Sequence, residues 1–192
     1  MKIKSIGGLL GVVAGALFSE AAYSQLYVGG SLGSTNLRGF CEDRPVDCDK
    51  NGAGWRAFFG YGFTPNLAIE SAFIDFGRAN ATDSGGAKIN SQNRGGELLG
   101  VFTYRANRAS IFAKAGGYYA ATKLTVDAGG GSWSRTSQSS GGFTFGLGAQ
   151  YELTQHIGLR GDWQRYAKVG GSDTGGASDI DAFLIGVVWT FR

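Results

Sequence analysis

The strongest constraint on the fold is a strict alternation of side chains in residues 181–192, DAFLIGVVWTFR. Every second residue from Phe183 to Phe191 is large and apolar, whereas the intervening positions from Ala182 to Thr190 are smaller. A period of two is typical of a β-strand, and a continuous apolar face must be shielded from water. Similar stretches recur along the chain, while the mean hydropathy stays near zero, at −0.08. Such strands favour a membrane-spanning barrel over a bundle of apolar helices.

Residues 1–24 have the composition of an export signal. Lys2 and Lys4 precede the apolar segment 6–18, and residues 22–24, Ala-Tyr-Ser, supply the small side chains of a cleavage site. This pattern predicts a secretory signal peptide that is removed at that point. A retained N-terminal anchor helix is the alternative.

The remaining residues, 25–192, are enough for one domain. Cleavage would remove Lys2, Lys4 and Glu20 and lower the formal net charge from +3 to +2. A charge this small, scattered along the chain, gives no indication of a nucleic-acid partner. Glycine is abundant, with 34 residues, but it accompanies 13 Phe, 8 Tyr and 4 Trp. This combination argues against low-complexity disorder and suits the tight curvature of a small barrel.

Two cysteines, Cys41 and Cys48, bracket the acidic segment CEDRPVDC. In an exported protein such a close pair predicts a disulfide that closes a small loop, with free thiols as the alternative. Clustered carboxylates here could hold a divalent cation near lipopolysaccharide, but a solvated loop is the simpler interpretation. These acids are Glu42, Asp43, Asp47 and Asp49. We therefore predict no metal site and no cofactor.

Alternation and turn residues divide the domain into eight strands. We place them at residues 25–35, 53–63, 67–77, 94–105, 110–123, 141–152, 157–168 and 179–191. Tight turns are predicted at residues 64–66, 106–109 and 153–156, and longer polar loops at residues 36–52, 78–93, 124–140 and 169–178. Short turns on one rim and long loops on the other are typical of outer-membrane barrels. The predicted fold is therefore all-β: an eight-stranded antiparallel up-and-down transmembrane β-barrel, preceded by a cleaved signal peptide.

Aromatic residues fall into two tiers along the predicted strands, as they do in the interfacial girdles of such barrels. The tier near the short turns contains Tyr61, Phe63, Tyr104, Tyr151, Trp189 and Phe191. The tier nearer the long loops contains Trp55, Phe73, Tyr119, Phe143, Trp163 and Phe183. The simple preference of aromatic residues for strands is an alternative explanation of this pattern.

Charged residues keep to the opposite, small-residue face of the strands, which we predict to line the lumen. Counted from the short turns, Glu70, Lys114 and Arg160 lie at similar depth, and Asp162 lies one layer higher. Further inward polar groups are Gln150, Glu97 and Arg56. An eight-stranded barrel has room inside only for side chains, so opposite charges there should pair and fill it. We predict that Glu70, Arg160 and Lys114 form a structural plug, with a gated narrow pore as the alternative.

Three segments carry a family resemblance that extends over residues 25–192. The run FFGYGFTPNLAIESAFIDFGR (residues 58–78) resembles the second and third strands of OmpA-like outer-membrane barrels, LYVGGSLGST the first strand, and IGLRGDWQRY the seventh. The resemblance implies an eight-stranded barrel in which an inward Glu–Arg–Lys cluster acts as a plug or gate. It also implies that the outer-membrane assembly machinery and periplasmic chaperones handle the chain. The family's last strand usually ends on an aromatic residue, whereas here Arg192 follows Phe191.

One catalytic motif is present in outline, because residues 29–33, GGSLG, match the G-x-S-x-G pattern around Ser31. That motif works at a strand-to-helix turn with a histidine and an acid nearby. Here it lies within a predicted strand, and His156, the single histidine, lies in a predicted short turn. We therefore predict that the protein is not an enzyme.

The sequence as a whole predicts a non-enzymatic barrel in the outer membrane of a Gram-negative bacterium, surrounded by lipids and lipopolysaccharide. Its role would be structural or surface-exposed, with long extracellular loops available to ligands. Three other functions remain open: a small gated pore, a lipid-modifying barrel enzyme, and a soluble ligand-binding barrel of lipocalin type. The last of these would need an apolar lumen and a polar exterior, the reverse of the pattern found here.

Overall fold

The computed structural model describes residues 25–38, 48–49, 51–82, 88–127, 133–171 and 176–191. The strands are β1 (Gln25–Leu37), β2 (Cys48–Asp49), β3 (Asn51–Gly62), β4 (Leu67–Thr82), β5 (Lys88–Ala106), β6 (Ala109–Asp127), β7 (Trp133–Glu152), β8 (Ile157–Gly171) and β9 (Gly176–Phe191). In this part of the chain, no helix is long and apolar enough to cross a membrane.

The eight long strands form a closed antiparallel barrel. Neighbours pair in the order β4-β3-β1-β9-β8-β7-β6-β5, and pairing between β4 and β5 closes the ring. The first and last strands are joined in register, with Leu26 opposite Phe191. The prediction of an eight-stranded antiparallel barrel is therefore confirmed. The two-residue strand β2 is an addition outside the ring. It pairs with β4 at the end that lies away from the short turns, which we call the outer end.

Alternation along the strands separates an apolar outside from a polar inside. In β3 the outward positions from Trp55 to Phe59 are exposed, whereas the intervening Arg56 and Phe58 are buried. The last strand behaves in the same way: Phe183, on its outward face, is exposed. Large apolar side chains that cover the outside of a barrel require lipid around them, because water would leave them unshielded.

The predicted long loops are largely wrong. Strands β5, β6 and β7 continue through residues predicted as loops and reach 19, 19 and 20 residues. A tilted strand needs only about 9–11 residues to cross the hydrocarbon core, so roughly half of each projects beyond the membrane. The prediction failed because these outer ends are polar on both faces, as in TSQSSGG of β7, and alternation of apolar residues no longer reports a strand.

The three short turns lie where they were predicted. Residues 63–66, 107–108 and 153–156 connect β3 to β4, β5 to β6 and β7 to β8. In the first of them the Thr64 hydroxyl accepts the backbone N–H of Leu67 at 3.0 Å. In the second, Asn107 has a φ of 56°, a left-handed conformation that asparagine tolerates.

Candidate functional site

The centre of the lumen is a buried carboxylate held by two arginines. Glu70 of β4 is fully buried, and Arg160 of β8 donates from Nη1 to Glu70 Oε2 at 2.7 Å. Arg56 of β3 donates from Nη2 to Glu70 Oε1, and the Tyr27 hydroxyl donates to Oε2 at 3.1 Å. Both carboxylate oxygens are therefore engaged, which offsets much of the cost of removing the charge from water.

A second carboxylate, Glu97 of β5, extends this arrangement towards the outer end. Arg56 donates from Nε to Glu97 Oε1 and so bridges the two acids. On Oε2, Glu97 accepts hydrogen bonds from Gln164 Nε2 at 2.7 Å and from the Tyr166 hydroxyl at 2.8 Å. Gln164 also donates to Thr144 Oγ1 at 2.9 Å. These bonds join strands β3, β5, β7 and β8 across the lumen.

Lys114 and Asp162 form a third pair. Lys114 of β6 donates to Asp162 Oδ2, and the side chains of both are almost fully buried. Arg160 lies 3.7 Å from the other carboxylate oxygen and links this pair to the centre. The prediction grouped Lys114 with Glu70, whereas in the structure its ion pair is with Asp162. We call the six charged residues the lumen cluster: Arg56, Glu70, Glu97, Lys114, Arg160 and Asp162.

Aromatic rings enclose the guanidinium groups of this cluster. The Arg160 guanidinium lies 4.7 Å from the ring centroid of Phe58 and 4.2 Å from that of Phe112. Arg56 lies 4.9 Å from the Phe58 ring. Rings at this distance attract a cation and keep water from it. The lumen cluster holds three acids and three bases, so it is formally neutral.

An apolar layer follows the lumen cluster towards the outer end. Tyr166 is fully buried, and its ring centroid lies 4.7 Å from that of Phe76 and 5.5 Å from that of Tyr118, both in edge-to-face arrangements. Aliphatic side chains from β1, β4, β8 and β9 complete this layer. We call it the apolar layer; its members are Leu37, Ile74, Phe76, Tyr118, Ala120, Tyr166, Val169, Ile180, Ala182 and Leu184.

On the other side, towards the short turns, the lumen contains a cavity of about 210 Å³. Gln150, which was predicted as part of the cluster, lines this cavity with Arg160 and Phe112. The Gln150 side chain therefore lies between the lumen cluster and the short turns. Gln25 and Arg105 also line the cavity.

Several residues of the site were not predicted. Tyr27, Phe58, Thr144, Gln164 and Tyr166 occupy inward positions of their strands, which alternation alone could have shown. What alternation could not show is which inward groups meet across the lumen. That depends on the register and circumference of the closed barrel.

The remaining candidates lie apart from one another or outside the described residues. Ser31 is buried opposite Gly186, whereas the backbone carbonyl of His156 accepts from Thr190, about 13 Å further along β9 at roughly 3.3 Å per residue. Cys41 and the acids Glu42, Asp43 and Asp47 lie outside the described residues, as do residues 1–24 and Arg192. The disulfide and the signal peptide therefore stay predictions.

The family model for the outer membrane protein beta-barrel domain matches residues 7–191. No curated protein sequence matches the chain. Among solved structures, Neisserial surface protein A is similar at a TM-score of 0.62 and 17% identity, over 86% of this chain and 97% of that protein. OprG of Pseudomonas aeruginosa is similar at 0.60 and 16%, over 88% and 96%. Ail of Yersinia pestis, solved with the heparin analogue sucrose octasulfate, is similar at 0.55 and 15%, over 88% and 97%.

Proposed function

This chain belongs to the family of outer membrane protein beta-barrel domains, and from that membership we propose that it is a non-enzymatic surface barrel, closed to solutes, whose outer end contacts molecules outside the cell. It is an integral protein of the outer membrane. Lipids and lipopolysaccharide would surround the barrel, and assembly machinery and periplasmic chaperones would deliver it after removal of residues 1–24.

The main support for this proposal is that buried ion pairs fill the lumen and connect strands on opposite sides of it. Arg56 contacts acids from β4 and β5, and Arg160 reaches the same β4 acid from β8. An ion that crossed this layer would have to displace paired charges that are buried together, at a cost of several kcal/mol. The apolar layer forms a second barrier, since most of its side chains offer a hydrated ion no polar partner.

Separation of the catalytic candidates supports a non-enzymatic role. Ser31 is buried in the wall of the barrel, and His156 is exposed in a turn at the short-turn rim. A serine nucleophile needs its base within hydrogen-bond reach. The strand register holds these two residues far beyond that reach.

A contact role for the outer end is supported by the strands that project beyond the membrane. Ail, a barrel of the same fold, has been solved in complex with a heparin analogue. That observation concerns Ail. For this chain we propose the same kind of use, an outer end that binds extracellular ligands.

Conductance across a planar lipid bilayer tests the closed lumen. We expect the refolded wild type to show no resolved current steps. A triple variant, Arg56→Ala, Glu97→Ala and Tyr166→Ala, removes side chains from both barriers and should conduct. A control variant with three lipid-facing substitutions, Leu98→Ala, Leu147→Ala and Ile185→Ala, should stay silent. Steady current steps from the wild type would establish the gated-pore alternative. A folded triple variant that stays silent would show that these side chains are not what closes the lumen.

A further inference from the structure

The cavity on the short-turn side of the lumen cluster plays no part in closing the barrel. Its volume of about 210 Å³ is room for several water molecules or for one small organic molecule. The lining includes Pro65, Asn66 and Arg105, which are exposed at the short-turn rim, and Arg160, which is buried in the lumen cluster. The cavity therefore extends from the rim to the cluster. Because short turns face the periplasm, it lies on the periplasmic side of the barrel.

Strand register sets four polar residues in one row along the wall of this cavity. Arg105 of β5 lies opposite Ser110 of β6, which in turn lies opposite Gln150 of β7. Gln150 lies opposite Arg160 of β8, and all four residues line the cavity. Directly opposed side chains on neighbouring strands have Cβ atoms about 4.5–5.5 Å apart and point to the same face. The row, which we call the cavity row, therefore presents two guanidinium groups, a hydroxyl and a carboxamide to one space.

Hydrogen-bond donors in the cavity row are not all used within the protein. A guanidinium group carries five N–H donors. Arg160 donates to the two carboxylate oxygens of Glu70, at 2.7 and 3.4 Å, and its buried Nε has no hydrogen-bond partner among the described residues. At the other end of the row, Arg105 donates from Nη1 to the carbonyl oxygen of Pro65. Arg160 therefore keeps N–H donors for a further acceptor, and a buried donor without one costs free energy.

The charged side chains of the lining favour an acceptor that is itself negative. They are two bases and one acid: Arg105, Arg160 and Glu152. The lumen cluster is neutral as a whole, but it turns its donor side towards the cavity. Glu70 does not line the cavity, whereas Arg160 and Tyr27, which donate to its carboxylate, both do. Hydrogen bonds from a guanidinium group to a negative acceptor are stronger than those to a neutral one.

The rest of the lining includes an apolar surface. Val101, Phe112 and Val188 line the cavity and are themselves buried. The ring of Phe112 also lies against the Arg160 guanidinium, at 4.2 Å from its centroid. A short hydrocarbon chain would cover this surface, whereas a small inorganic anion would leave it facing water. A concave site with an apolar wall and a few convergent polar groups is typical of small-molecule sites.

We propose that this cavity binds a small organic carboxylate from the periplasm, with the carboxylate on the cavity row and the hydrocarbon body against Val101, Phe112 and Val188. A carboxylate accepts hydrogen bonds from guanidinium, hydroxyl and carboxamide donors alike, and its two oxygens fit the fork of a guanidinium group. The ligand would enter from the short-turn rim and stop at the lumen cluster, so the barrel stays closed. This site goes beyond the proposed contact role of the outer end and does not depend on it.

The test uses the refolded domain, residues 25–192, in micelles of an uncharged detergent at constant ionic strength. Three probes are titrated: butyrate, its neutral isostere butyramide, and formate, which keeps the carboxylate but lacks the hydrocarbon body. Nuclear magnetic resonance follows the side-chain amide of Gln150 and the backbone amide of Ser110. We expect butyrate to shift both resonances and to bind at least roughly fivefold more tightly than either of the other probes.

Two variants with the same chemical change on the same rim separate the cavity from its surroundings. Arg105→Gln, in the cavity row, should weaken butyrate binding at least roughly fivefold. Arg108→Gln, at an exposed position that does not line the cavity, should leave it unchanged. Equal weakening by the two variants would overturn the site, because the charge of the rim alone would then explain binding.

The probes give three further ways for the proposal to fail. Binding of butyramide as tight as that of butyrate would overturn the carboxylate class, and equally tight binding of formate would overturn the organic class. Absence of shifts at Gln150 and Ser110 would show that the cavity holds water only. None of these results alters the expected conductance of the barrel, so a failure here can be told apart from a failure of the proposed closed lumen.

Discussion

Replacement of Glu70 by glutamine should destabilise the barrel more than any other single loss of charge at constant side-chain shape. Glu70 and Arg56 have fully buried side chains, and Arg160 has 3% of its side chain exposed. Glu70→Gln keeps the volume, so no cavity forms, but it leaves the lumen cluster with three bases and two acids. It also points an amide donor at a guanidinium group, because each carboxylate oxygen of Glu70 contacts an arginine.

The magnitude follows from the cost of breaking a buried ion pair. Removal of one partner costs about 3–5 kcal/mol, because the remaining charge is left without compensation. Glu70 serves two arginines at once, which places the expected loss in the unfolding free energy at about 4 kcal/mol. Urea titration of the barrel in phospholipid vesicles, followed by tryptophan fluorescence, measures this difference.

Two comparisons make the result decisive. Glu152→Gln, the same chemical change at the short-turn rim, should cost less than about 1 kcal/mol, because that side chain is only half-buried and solvent screens its interactions. The double variant Lys114→Met with Asp162→Leu should cost less than either single change, since both charges leave together. If Glu70→Gln and Glu152→Gln differ by less than roughly 0.5 kcal/mol, ion pairing in the lumen does not stabilise this fold.

Three further predictions concern the wall and the first loop. Gly77→Ala should lower the unfolding free energy by about 1–3 kcal/mol, because Gly77 has a φ of 79° and a Cβ there would lie 2.3 Å from a backbone oxygen. Gly96→Ala, where the Cβ would make an ordinary contact of 3.8 Å, should be near neutral in the same urea titration. Leu147→Arg, midway between the aromatic tiers, should cost about 2–4 kcal/mol in lipid vesicles, whereas Leu153→Arg in a short turn should cost about 1 kcal/mol or less. Mass spectrometry after alkylation should find both cysteines unmodified until a reductant is added; labelling without reductant would disprove the disulfide.

Much of the barrel could be predicted because one face of each strand meets lipid. In β3, the outward residues from Trp55 to Phe59 identify the face that meets lipid. A shift of one residue in the strand pairing would exchange the lipid-facing and lumen-facing sides. Glycine and small residues at the intervening positions indicate the strand face that lines the lumen. The strand number, the three short turns and the inward position of Arg56 all follow from this pattern.

The outer ends of the strands could not be predicted in the same way. Above the membrane both faces of a strand meet water, so sequences such as KINSQN in β5 lack the alternation that reports a strand. In β8 the register with β9 shifts between Tyr166 and Val169, where Lys168 has a left-handed φ of 60°, and no glycine marks this bulge in the sequence. The end of the ladder between β7 and β8, at Thr144 opposite Tyr166, therefore became evident only from the register of the paired strands.

The sequence also did not show which charged side chains form ion pairs with each other in the lumen. Depth along a strand can be counted from a turn, and it correctly placed Glu70 near Arg160. Position around the barrel depends on closure, and closure brings Lys114 to Asp162 and puts Arg56 between two acids. Tyr166 and Gln164 join the cluster for the same reason, although neither carries a charge that would have drawn attention to it.

The central claim is that the lumen cluster closes the barrel, and exchange of the arginine side-chain protons tests it most directly. In the refolded barrel, the guanidinium protons of Arg56, whose side chain is fully buried, should exchange with solvent far more slowly than those of Arg108, which lies exposed in a short turn. Arg160 lines the cavity on the short-turn side, so its protons should exchange at a rate between these two. We predict resolved, slowly exchanging resonances for Arg56. Exchange at Arg56 as rapid as at Arg108 would contradict the claim, because water would then reach the centre of the lumen cluster.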